Sequence, residues 1–258
     1  HEKPFLSTNF NDILNLKNLD AVLVSTSWED HIKVACKAME KGIAVAMEVG
    51  ASYSVDELWH LVETWEKTQT PFMFMENCCF DKHELMSTAM VRDGFFGDIV
   101  HMCGSYSHDL RKEISGGNIN HHYRLRNYIA RNCDNYPTHE IGPIAKILKI
   151  NAGNRFKSLV SVGSKSLGLH TYVSNHKDLY PELQDTVFNQ SDIVNTIITC
   201  ENGETIEIKL DTTLPRSYSR NFTIQGTKAS YEGSTHTIFV DGDKENYFTE
   251  EFYKDNVK

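Results

Sequence analysis

The sequence predicts an α/β fold in which a parallel sheet covered by helices is followed by an α+β domain with a mainly antiparallel sheet. Two observations lead to this prediction. Short apolar runs alternate with segments of helical spacing before about residue 80, which is the pattern of parallel strands joined by helices. From about residue 157 onward strand patterns dominate, and the stretch ENGE between two of them is a hairpin signal.

The first part of the chain is predicted to contain strands that alternate with helices. The strands are the apolar runs LDAVLVSTS, IAVAMEV and PFMFMENCCF. The helices are WEDHIKVACKAMEKG, which ends at a glycine, and SVDELWHLVETWEKTQ, in which Ser54 and Glu57 have the spacing of a capping box. This order predicts a parallel sheet with right-handed crossovers.

The second part of the chain is predicted to be mainly an antiparallel sheet. The helix HELMSTAMVRDGFFG comes first, and the alternating stretch DIVHMCGSYSHDL follows it as a half-buried strand. Later strands are predicted in FKSLVSVGSKSL, DIVNTIITC, ETIEIKLDTT, NFTIQGTKASYEG and HTIFVDG. KEISGGNINHHYR is predicted to be a long exposed loop, and DGDKENYFTEEFYKD a solvated tail. We therefore expect two domains, residues 1–80 and residues 81–258.

The composition argues against nucleic acid, membrane spans and metal sites. Nucleic-acid binders usually carry a basic patch, whereas this chain has a formal net charge of -9. No apolar run approaches the roughly 20 residues that span a bilayer, and the first residues, HEKPFLSTNF, lack a signal-peptide core. The 6 cysteines lack the paired spacing of a zinc site, so we expect reduced thiols and no metal.

A signature of dinucleotide binding is missing from the sequence. A Rossmann-type domain begins with a strand and a glycine-rich turn whose backbone amides meet the pyrophosphate. The fingerprint GxGxxG does not occur in the chain. Residues 1–80 are therefore predicted to be the later part of such a domain, a partial Rossmann-like sheet. Either the opening β-α-β unit lies outside the chain, or the protein does not bind dinucleotides.

Polar residues are predicted at the carboxyl edge of the parallel sheet, where open α/β sheets bind ligands. Trp28, His31 and Glu48 follow the first two strands, and Glu76 and Asn77 follow the third. The alternatives are that Trp28 packs on the next helix, that His31 lies on the surface of that helix and that Glu48 is a solvated strand end. Glu48 and Glu76 are also compatible with a glycosidase that uses two carboxylates.

The segment CDNYPTHEIGP brings Tyr136 and His139 to the start of the apolar helical stretch IAKILKI. Thr138 can cap that helix, so the cap requires neither residue. A helix N-terminus disfavours a protonated imidazole, and a neutral imidazole can act as a general base. The alternative is a core histidine that is bonded to a backbone carbonyl.

The segment TTLPRSYSRNF contains Arg216, Tyr218 and Arg220. On an extended backbone these three side chains would share a face. Guanidinium groups beside a phenol suit a polyhydroxylated or acidic ligand. A solvated edge strand protected by charge would have the same pattern.

Several segments together carry a resemblance to a known family. They are AVAMEV, ENCCF, MVRDGFFGDIVH, HDLR, HYRLRNYIARNCDNYPTHEIGPIAKILKINAGNRF and DTTLPRSYSRNFTIQGTK. They resemble the Gfo/Idh/MocA oxidoreductase superfamily, and most closely its glycosidase branch, glycoside hydrolase family 109, the NAD-dependent α-N-acetylgalactosaminidases. The resemblance extends from about residue 18 to residue 232. It implies a Rossmann domain followed by an open-faced, largely antiparallel sheet that covers the nicotinamide.

The resemblance also implies roles for individual residues. His139 and Tyr136 match the positions of the proton-transfer pair, and Tyr218 would assist at the leaving-group or water side. Arg124 would bind substrate oxygens, and Glu48 would hold a sugar hydroxyl near the nicotinamide. Dehydrogenases of the superfamily carry Glu-Lys-Pro where this chain has Glu-Val-Gly. This difference favours the glycosidase branch.

The resemblance implies NAD as the cofactor and a small carbohydrate as the substrate. Trp28, His31, Glu48 and Asn77 are the candidate cofactor-binding residues. Two alternatives are an NAD(P)-dependent sugar dehydrogenase with His139 as its base, and a non-catalytic carbohydrate-binding or assembly module. We further expect a bacterial protein, either exported or cytoplasmic, a chain that is incomplete at both ends relative to the family, and a homo-oligomer through the open sheet.

Overall fold

The computed structural model describes residues 3–50 and 52–256, which form two compact units. The first unit ends at Glu76, and the second begins at Asn77. The elements of the first unit are α1 (Phe10–Leu14), β1 (Ala21–Val24), α2 (His31–Glu40), β2 (Ala44–Met47), α3 (Val55–Thr68) and β3 (Phe72–Phe74).

The strands of the first unit form a parallel sheet in the order β1-β2-β3, as the sequence predicts. The third strand is shorter than predicted. It ends at Phe74 because β2, against which it pairs, itself ends at Met47. The following residues, Asn77–Phe80, form a 3-10 helix and not a continuation of the strand.

The start of α3 confirms one half of the predicted capping box. The Ser54 hydroxyl accepts hydrogen bonds from the backbone N–H groups of Asp56 (3.1 Å) and Glu57 (3.4 Å). The other half is formed differently, because the Ser54 N–H donates to Ser52 Oγ at 3.2 Å. The Ser52 hydroxyl donates in turn to the Glu57 carboxylate. Ser52 therefore bridges the two groups that would meet directly in a capping box.

The second unit is larger and begins with the 3-10 helix. Its helices are α4 (Lys82–Arg92), α5 (Arg111–Ser115), α6 (Gly117–Asn120), α7 (Arg124–Ala130), α8 (Thr138–Ile147), α9 (Gly168–Ser174) and α10 (Thr249–Asn256), with a second 3-10 helix at Pro181–Leu183. Its strands are β4 (Ile99–Ser107), β5 (Phe156–Gly163), β6 (Ile193–Cys200), β7 (Thr205–Asp211), β8 (Thr223–Gly226), β9 (Ala229–Glu232), β10 (Thr237–Val240) and β11 (Tyr247–Phe248).

The strands of the second unit form an 8-stranded sheet in the order β11-β10-β9-β8-β4-β7-β6-β5. The pair β4 and β7 is parallel, and the other neighbours are antiparallel. The predicted hairpin at ENGE joins β6 to β7. Gly203 adopts a φ of 101° there, a backbone conformation that is unfavourable for residues with a side chain. The predicted fold class is thus confirmed.

Helices cover one face of this sheet and leave part of the other face exposed. On one face, called the covered face below, Met102, Ile206 and Ile224 are fully buried and pack with Ile144 of α8 and Met90 of α4. On the other, the open face, His101 and Cys103 of β4 and Thr205, Glu207 and Lys209 of β7 stay partly exposed. The later residues of that face, Ser105, Ser107 and Asp211, are buried. The open-faced sheet that the family resemblance implies is present.

Two segments predicted to be irregular form regular structure instead. The segment KEISGGNINHHYR, which was expected to be an exposed loop, contains most of α5 and all of α6, because Ile114 and Gly117 pack inward. A Cβ at Gly117 would lie 2.5 Å from Leu125 Cβ, so close packing and not a loop requires this glycine. The expected tail forms β11 and α10, because Phe252 packs against the core at 5.3 Å from the Phe95 ring.

Within residues 3–50 and 52–256, no helix combines the length and the apolar character that crossing a bilayer requires.

Candidate active site

The start of α8 differs from the prediction that Thr138 caps this helix. Thr138 is the first helical residue, and Pro137 occupies the N-cap position. Within the described part of the chain, the buried Thr138 hydroxyl has no hydrogen-bond partner. Because the fixed φ of Pro137, at -75°, already suits the helix, the helix begins without a side-chain cap. His139 therefore lies in the first turn, as predicted.

A proline inside α8 exposes one backbone acceptor. Pro143 has no N–H, so it cannot donate to the carbonyl of His139 four residues earlier. A guanidinium nitrogen of Arg220 donates to this carbonyl instead. Arg220 is largely buried and also faces Glu84 Oε1 at 3.5 Å. Its side chain thus ties the segment after β7 to the backbone of His139.

Arg216, Tyr218 and Arg220 do not form the common face that an extended strand would give. Between β7 and β8, Ser219 makes a single bridge to Ser107, and the surrounding residues are irregular. Arg216 turns to Asp211, with which it forms an ion pair, and Arg220 points inward. Tyr218 stays 54% exposed.

Gly104 allows α8 to lie close against β4. A Cβ at this position would lie 3.2 Å from the Glu140 carbonyl oxygen and 3.2 Å from Ile144 Cδ1. Such contacts are tighter than side chains normally make, so the helix would have to move outward. The small residue in β4 thereby sets the distance between His139 and the residues at the end of the strand.

An aromatic cluster forms at the carboxyl end of β4. The rings of Tyr136 and His139 meet edge to face, with centroids 4.7 Å apart and an interplanar angle of 87°. Tyr106 contacts both rings, at 4.9 Å from Tyr136 and 5.4 Å from His139. His108 lies 5.9 Å from Tyr106 and 5.2 Å from Tyr218, which connects Tyr218 to the group. These five residues are called the aromatic cluster below.

Arg124 supplies a buried positive charge beside the aromatic cluster. Its guanidinium lies over the Tyr136 ring at 4.9 Å, and its Nε is 2.9 Å from Glu113 Oε1. Burial lowers the pKa of Arg124, but the phenols of Tyr128 and Tyr106 and the Glu113 carboxylate raise it overall. The guanidinium is therefore charged and can bind oxygen atoms of a ligand.

Two of the phenols in the cluster are held in the protonated form. Burial raises the pKa of Tyr106, and Arg124 opposes this shift only in part. Burial also raises the pKa of Tyr218, against the effect of Arg220. Protonated phenols at neutral pH can donate hydrogen bonds or a proton to an oxygen atom.

A pair of buried carboxyl groups supports the segment that carries Tyr136 and His139. Glu140 Oε1 accepts the N–H of Tyr106 at 2.7 Å, and Asp134 Oδ1 accepts the N–H of Tyr136 at 3.2 Å. Burial raises the pKa of Asp134 to about 6, and burial together with Asp134 raises the pKa of Glu140 well above its ordinary value. Burial disfavours two negative charges side by side, so the pair holds a proton more strongly than exposed carboxyl groups do.

The candidate cofactor residues occupy different surroundings. Trp28 is buried, and its ring fills the space where a Cβ at Gly50 would lie. His31 is also buried, with its Nδ1 2.9 Å from Thr26 Oγ1, so it is not a surface residue of α2. Burial lowers its pKa. Glu48 is half-buried at the end of β2, where its carboxylate accepts the N–H of Val49. Asn77 is exposed at the start of the second unit.

Sequence reasoning missed several members of this site. They are Tyr106, His108, Glu113, Asp134 and Glu140. A signal for two of them is present, because the half-buried strand DIVHMCGSYSHDL ends in a tyrosine and a histidine. The carboxyl pair gave no such signal, since acidic residues at a helix start are usually solvated.

Two cavities are lined by residues that touch or belong to the aromatic cluster. One, of about 450 Å³, is lined by His108, Glu113 and Tyr180 among others. A second, of about 370 Å³, is lined by Tyr218, Arg220 and neighbouring residues. Either volume is in the range of small-molecule sites.

Solved structures share this fold. The crystal structure of an inositol dehydrogenase homolog complexed with NAD+ from Azotobacter vinelandii aligns with a TM-score of 0.68 and 15% identity, over 93% of this chain and 59% of that one. The crystal structure of an NAD binding oxidoreductase from Klebsiella pneumoniae aligns with a TM-score of 0.70 and 12% identity, over 94% and 64%. The chain therefore shares the fold of these two proteins.

Sequence relatives define the branch. Residues 80–256 match the family model of glycosyl hydrolase 109, C-terminal domain. A glycosyl hydrolase family 109 protein from Stenotrophomonas maltophilia is 36% identical over 94% of this chain and 57% of its own length. An α-N-acetylgalactosaminidase from Tannerella forsythia is 36% identical over 90% of this chain and 54% of its own length. The chain belongs to glycosyl hydrolase family 109, and it spans about half the length of these relatives.

Proposed function

We propose that the protein is a glycoside hydrolase that cleaves α-N-acetylgalactosaminides by an NAD-dependent sequence of oxidation, elimination, addition and reduction. The observation that carries the proposal is the contact between Tyr136 and His139 beside Arg124, in a chain of family 109. A proton donor, a proton acceptor and a fixed positive charge converge there. Such a group can move protons on a sugar and hold its oxygen atoms.

The carboxyl edge of the first unit fits the nicotinamide side of a dinucleotide site. Open α/β sheets bind ligands at this edge, and Trp28 and Glu48 follow β1 and β2 there. Glu48 would contact the cofactor there, whereas Trp28 and His31 are both buried, against Gly50 and Thr26 respectively. When bound, NAD would accept the hydride from C3 of the sugar and later return it.

The residues of the second unit would handle protons. Once C3 is a ketone, the C2 proton is acidic enough for a side chain to remove, and His139 with Tyr136 would take it. The C1 substituent then leaves, and Tyr218, whose phenol is protonated, would donate a proton to the departing oxygen or orient the incoming water. Arg124 would bind substrate oxygens, and Glu48 would bind a sugar hydroxyl. A proton returns to C2 as water adds to C1, and because the hydride would return to C3, there is no net redox change.

The experiment uses the full protein. We expect cleavage of an aryl α-N-acetylgalactosaminide without added cofactor and without net release of NADH. In deuterated water the product should carry deuterium at C2, because elimination removes the C2 proton. Product with protium alone at C2 would exclude the elimination mechanism.

A second candidate is an NAD(P)-dependent sugar dehydrogenase that uses His139 as base. The shared fold with the inositol dehydrogenase homolog supports it. Steady release of NADH in proportion to substrate would favour this candidate over the glycosidase. Absence of both activities, with carbohydrate binding retained, would favour a non-catalytic binding module.

The open face of the large sheet is our candidate for association between copies. The edge strand β5 is exposed along its whole length, including Val160 (60%) and Val162 (65%). Replacing Val160 by lysine should shift a homo-oligomer toward monomer in light-scattering measurements. An unchanged mass would exclude this edge as the contact.

A further inference from the structure

Three side chains with metal-binding atoms meet on the open face. His101 and Cys103 are two residues apart on β4, so their side chains point to the same side of the sheet. Glu207 on the parallel neighbour β7 lies directly opposite Cys103 in the strand register. The imidazole, the thiol and the carboxylate therefore belong to one surface.

The ligand atoms are already close together. His101 Nε2 lies 3.1 Å from Cys103 Sγ, and one atom from each of the three residues lies within 4.8 Å of the others. Bond lengths of about 2.0–2.3 Å to nitrogen, oxygen and sulfur require ligand atoms to be a little over 3 Å apart around a tetrahedral ion. Small side-chain movements would satisfy this requirement.

A second contact fixes the orientation of the histidine. His101 Nδ1 lies 2.7 Å from Thr205 Oγ1 of β7. Metal-bound histidines commonly use their other ring nitrogen in this way, which leaves the first nitrogen directed at the metal. Nε2 is the nitrogen that faces Cys103.

The charges around the cluster favour a cation. Glu207 is a candidate ligand on β7. In the opposite direction along the sheet, Thr223 of β8 lies opposite Cys103, and Glu232 of β9 pairs with Thr223. Cys103 and His101 are half-buried, so solvent can reach them. Two carboxylates near a thiol and an imidazole attract a divalent ion and oppose a lone thiolate.

We propose that His101, Cys103 and Glu207 bind a zinc ion on the open face, with one coordination position open to water. Nitrogen, sulfur and oxygen ligands together are a donor set that Zn²⁺ accepts in tetrahedral geometry, whereas Mg²⁺ and Ca²⁺ prefer oxygen alone. On binding, the Cys103 thiol loses its proton to the solvent and the sulfur forms the bond to zinc. No oxidant or reductant takes part.

The zinc site is independent of the proposed glycosidase. Cys103 and Tyr106 are an odd number of residues apart on β4, so their side chains point to opposite faces. Tyr106 belongs to the aromatic cluster, whereas Cys103 faces the open side. Loss of zinc binding and loss of catalysis can therefore be measured separately.

The experiment is a titration of the chelator-treated chain with Zn²⁺ by calorimetry, and with Co²⁺ as a spectroscopic probe. We expect one ion per chain, release of about one proton per zinc, and a cobalt spectrum with a thiolate band. Cys103→Ser and His101→Asn should abolish binding at this site. Thr205→Val should weaken zinc binding roughly 10-fold, since outer contacts typically contribute 10–100-fold.

Cys133→Ser is the matched control, because Cys133 is an exposed free thiol elsewhere in the second unit. It should bind zinc as the unchanged chain does. Circular dichroism of each variant establishes that it is folded, and Thr205→Val tests the site without removing a ligand. Equal zinc binding by the unchanged chain and by folded Cys103→Ser and His101→Asn would overturn the proposal, as would failure of the unchanged chain to bind one equivalent.

Discussion

Polar side chains on the two faces of the eight-stranded sheet differ in their burial. On the covered side, Glu84 and Glu140 are buried and Arg220 is largely buried, and all three depend on protein groups for their hydrogen bonds and charge balance. On the open face, His101, Cys103, Thr205 and Glu207 keep contact with solvent. A polar group on the covered side cannot be removed without stranding its partner, whereas one on the open face can.

The largest effect should come from Arg220→Met. The change leaves the Glu84 carboxylate buried without its cation and removes the donor to the His139 carbonyl. We expect the free energy of unfolding in urea to fall by about 3–5 kcal/mol. Arg155→Met is the control, since the Arg155–Glu201 pair is exposed and should contribute about 0–1 kcal/mol. Equal losses in the two variants would contradict the comparison.

Pro143→Ala tests the reason for the Arg220 contact. An alanine restores the N–H that can donate to the His139 carbonyl within the helix. Pro143→Ala should therefore be more favourable in the Arg220→Met background than in the unchanged chain, by about 1 kcal/mol. Strictly additive effects in the double-mutant cycle would show that the two residues do not share this acceptor.

The next effect concerns turnover and not stability. If His139 and Tyr136 transfer protons, His139→Gln and Tyr136→Phe in the full-length enzyme should each lower turnover by roughly 10²-fold or more. Thermal unfolding should change little, because both variants preserve most of the side-chain volume. His170→Gln, an exposed histidine of α9, is the control. Strong destabilisation with normal turnover per folded molecule would make His139 a structural residue.

The carboxyl pair predicts a pH dependence of stability. The pKa of Asp134 is raised to about 6 in the folded chain, from an ordinary value of about 3.9 in the unfolded chain. The folded state therefore binds more protons than the unfolded state between these values. The free energy of unfolding should fall as pH rises from about 4 to about 6, by on the order of 2 kcal/mol.

Glu140→Gln should reduce this slope. Glutamine does not titrate, so the protons that the buried Glu140 binds in the folded state no longer contribute to the slope, and only the contribution of Asp134 remains. Urea unfolding at several pH values measures the slope. A slope as steep as that of the unchanged chain would mean that Glu140 binds no additional protons on folding.

The smallest effect should be on the open face. Cys103→Ser should change the free energy of unfolding by less than about 0.5 kcal/mol in the absence of zinc. Cys200→Ser, in the core of the covered side, should cost about 1–3 kcal/mol because its hydroxyl would be buried. Similar costs for both serines would show that the two faces do not differ in the way described.

Much of the fold follows from sequence because it depends on local periodicity. The strands β1 and β2 and the hairpin between β6 and β7 are each set by short-range patterns. The helices α5 and α6 were missed because their glycines, Gly116 and Gly117, indicate a loop unless the close packing on Leu125 is known. Tertiary contact outweighs local propensity there.

The candidate site divides in the same way. Tyr136 and His139 could be selected from one segment, because they are three positions apart and a helix begins there. The proposed zinc ligands could not be selected in this way, because the pairing of β4 with β7 brings Glu207 to Cys103 from about a hundred residues away in the sequence. Likewise, the partner of the His139 carbonyl, Arg220, comes from the segment after β7. Such pairings are properties of the topology and leave no spacing in the sequence.

The parallel pairing of β4 with β7 has a consequence for the order of folding. β4 lies between β7 and β8, and both of these strands are made long after it. At the roughly 5–20 residues per second of synthesis, several seconds pass between the synthesis of β4 and that of the first strand that pairs with it. During that time α8, which packs through Gly104, is the nearer contact along the chain. We expect the helix and strand to dock first, and the high contact order of the sheet to make its completion the slow step.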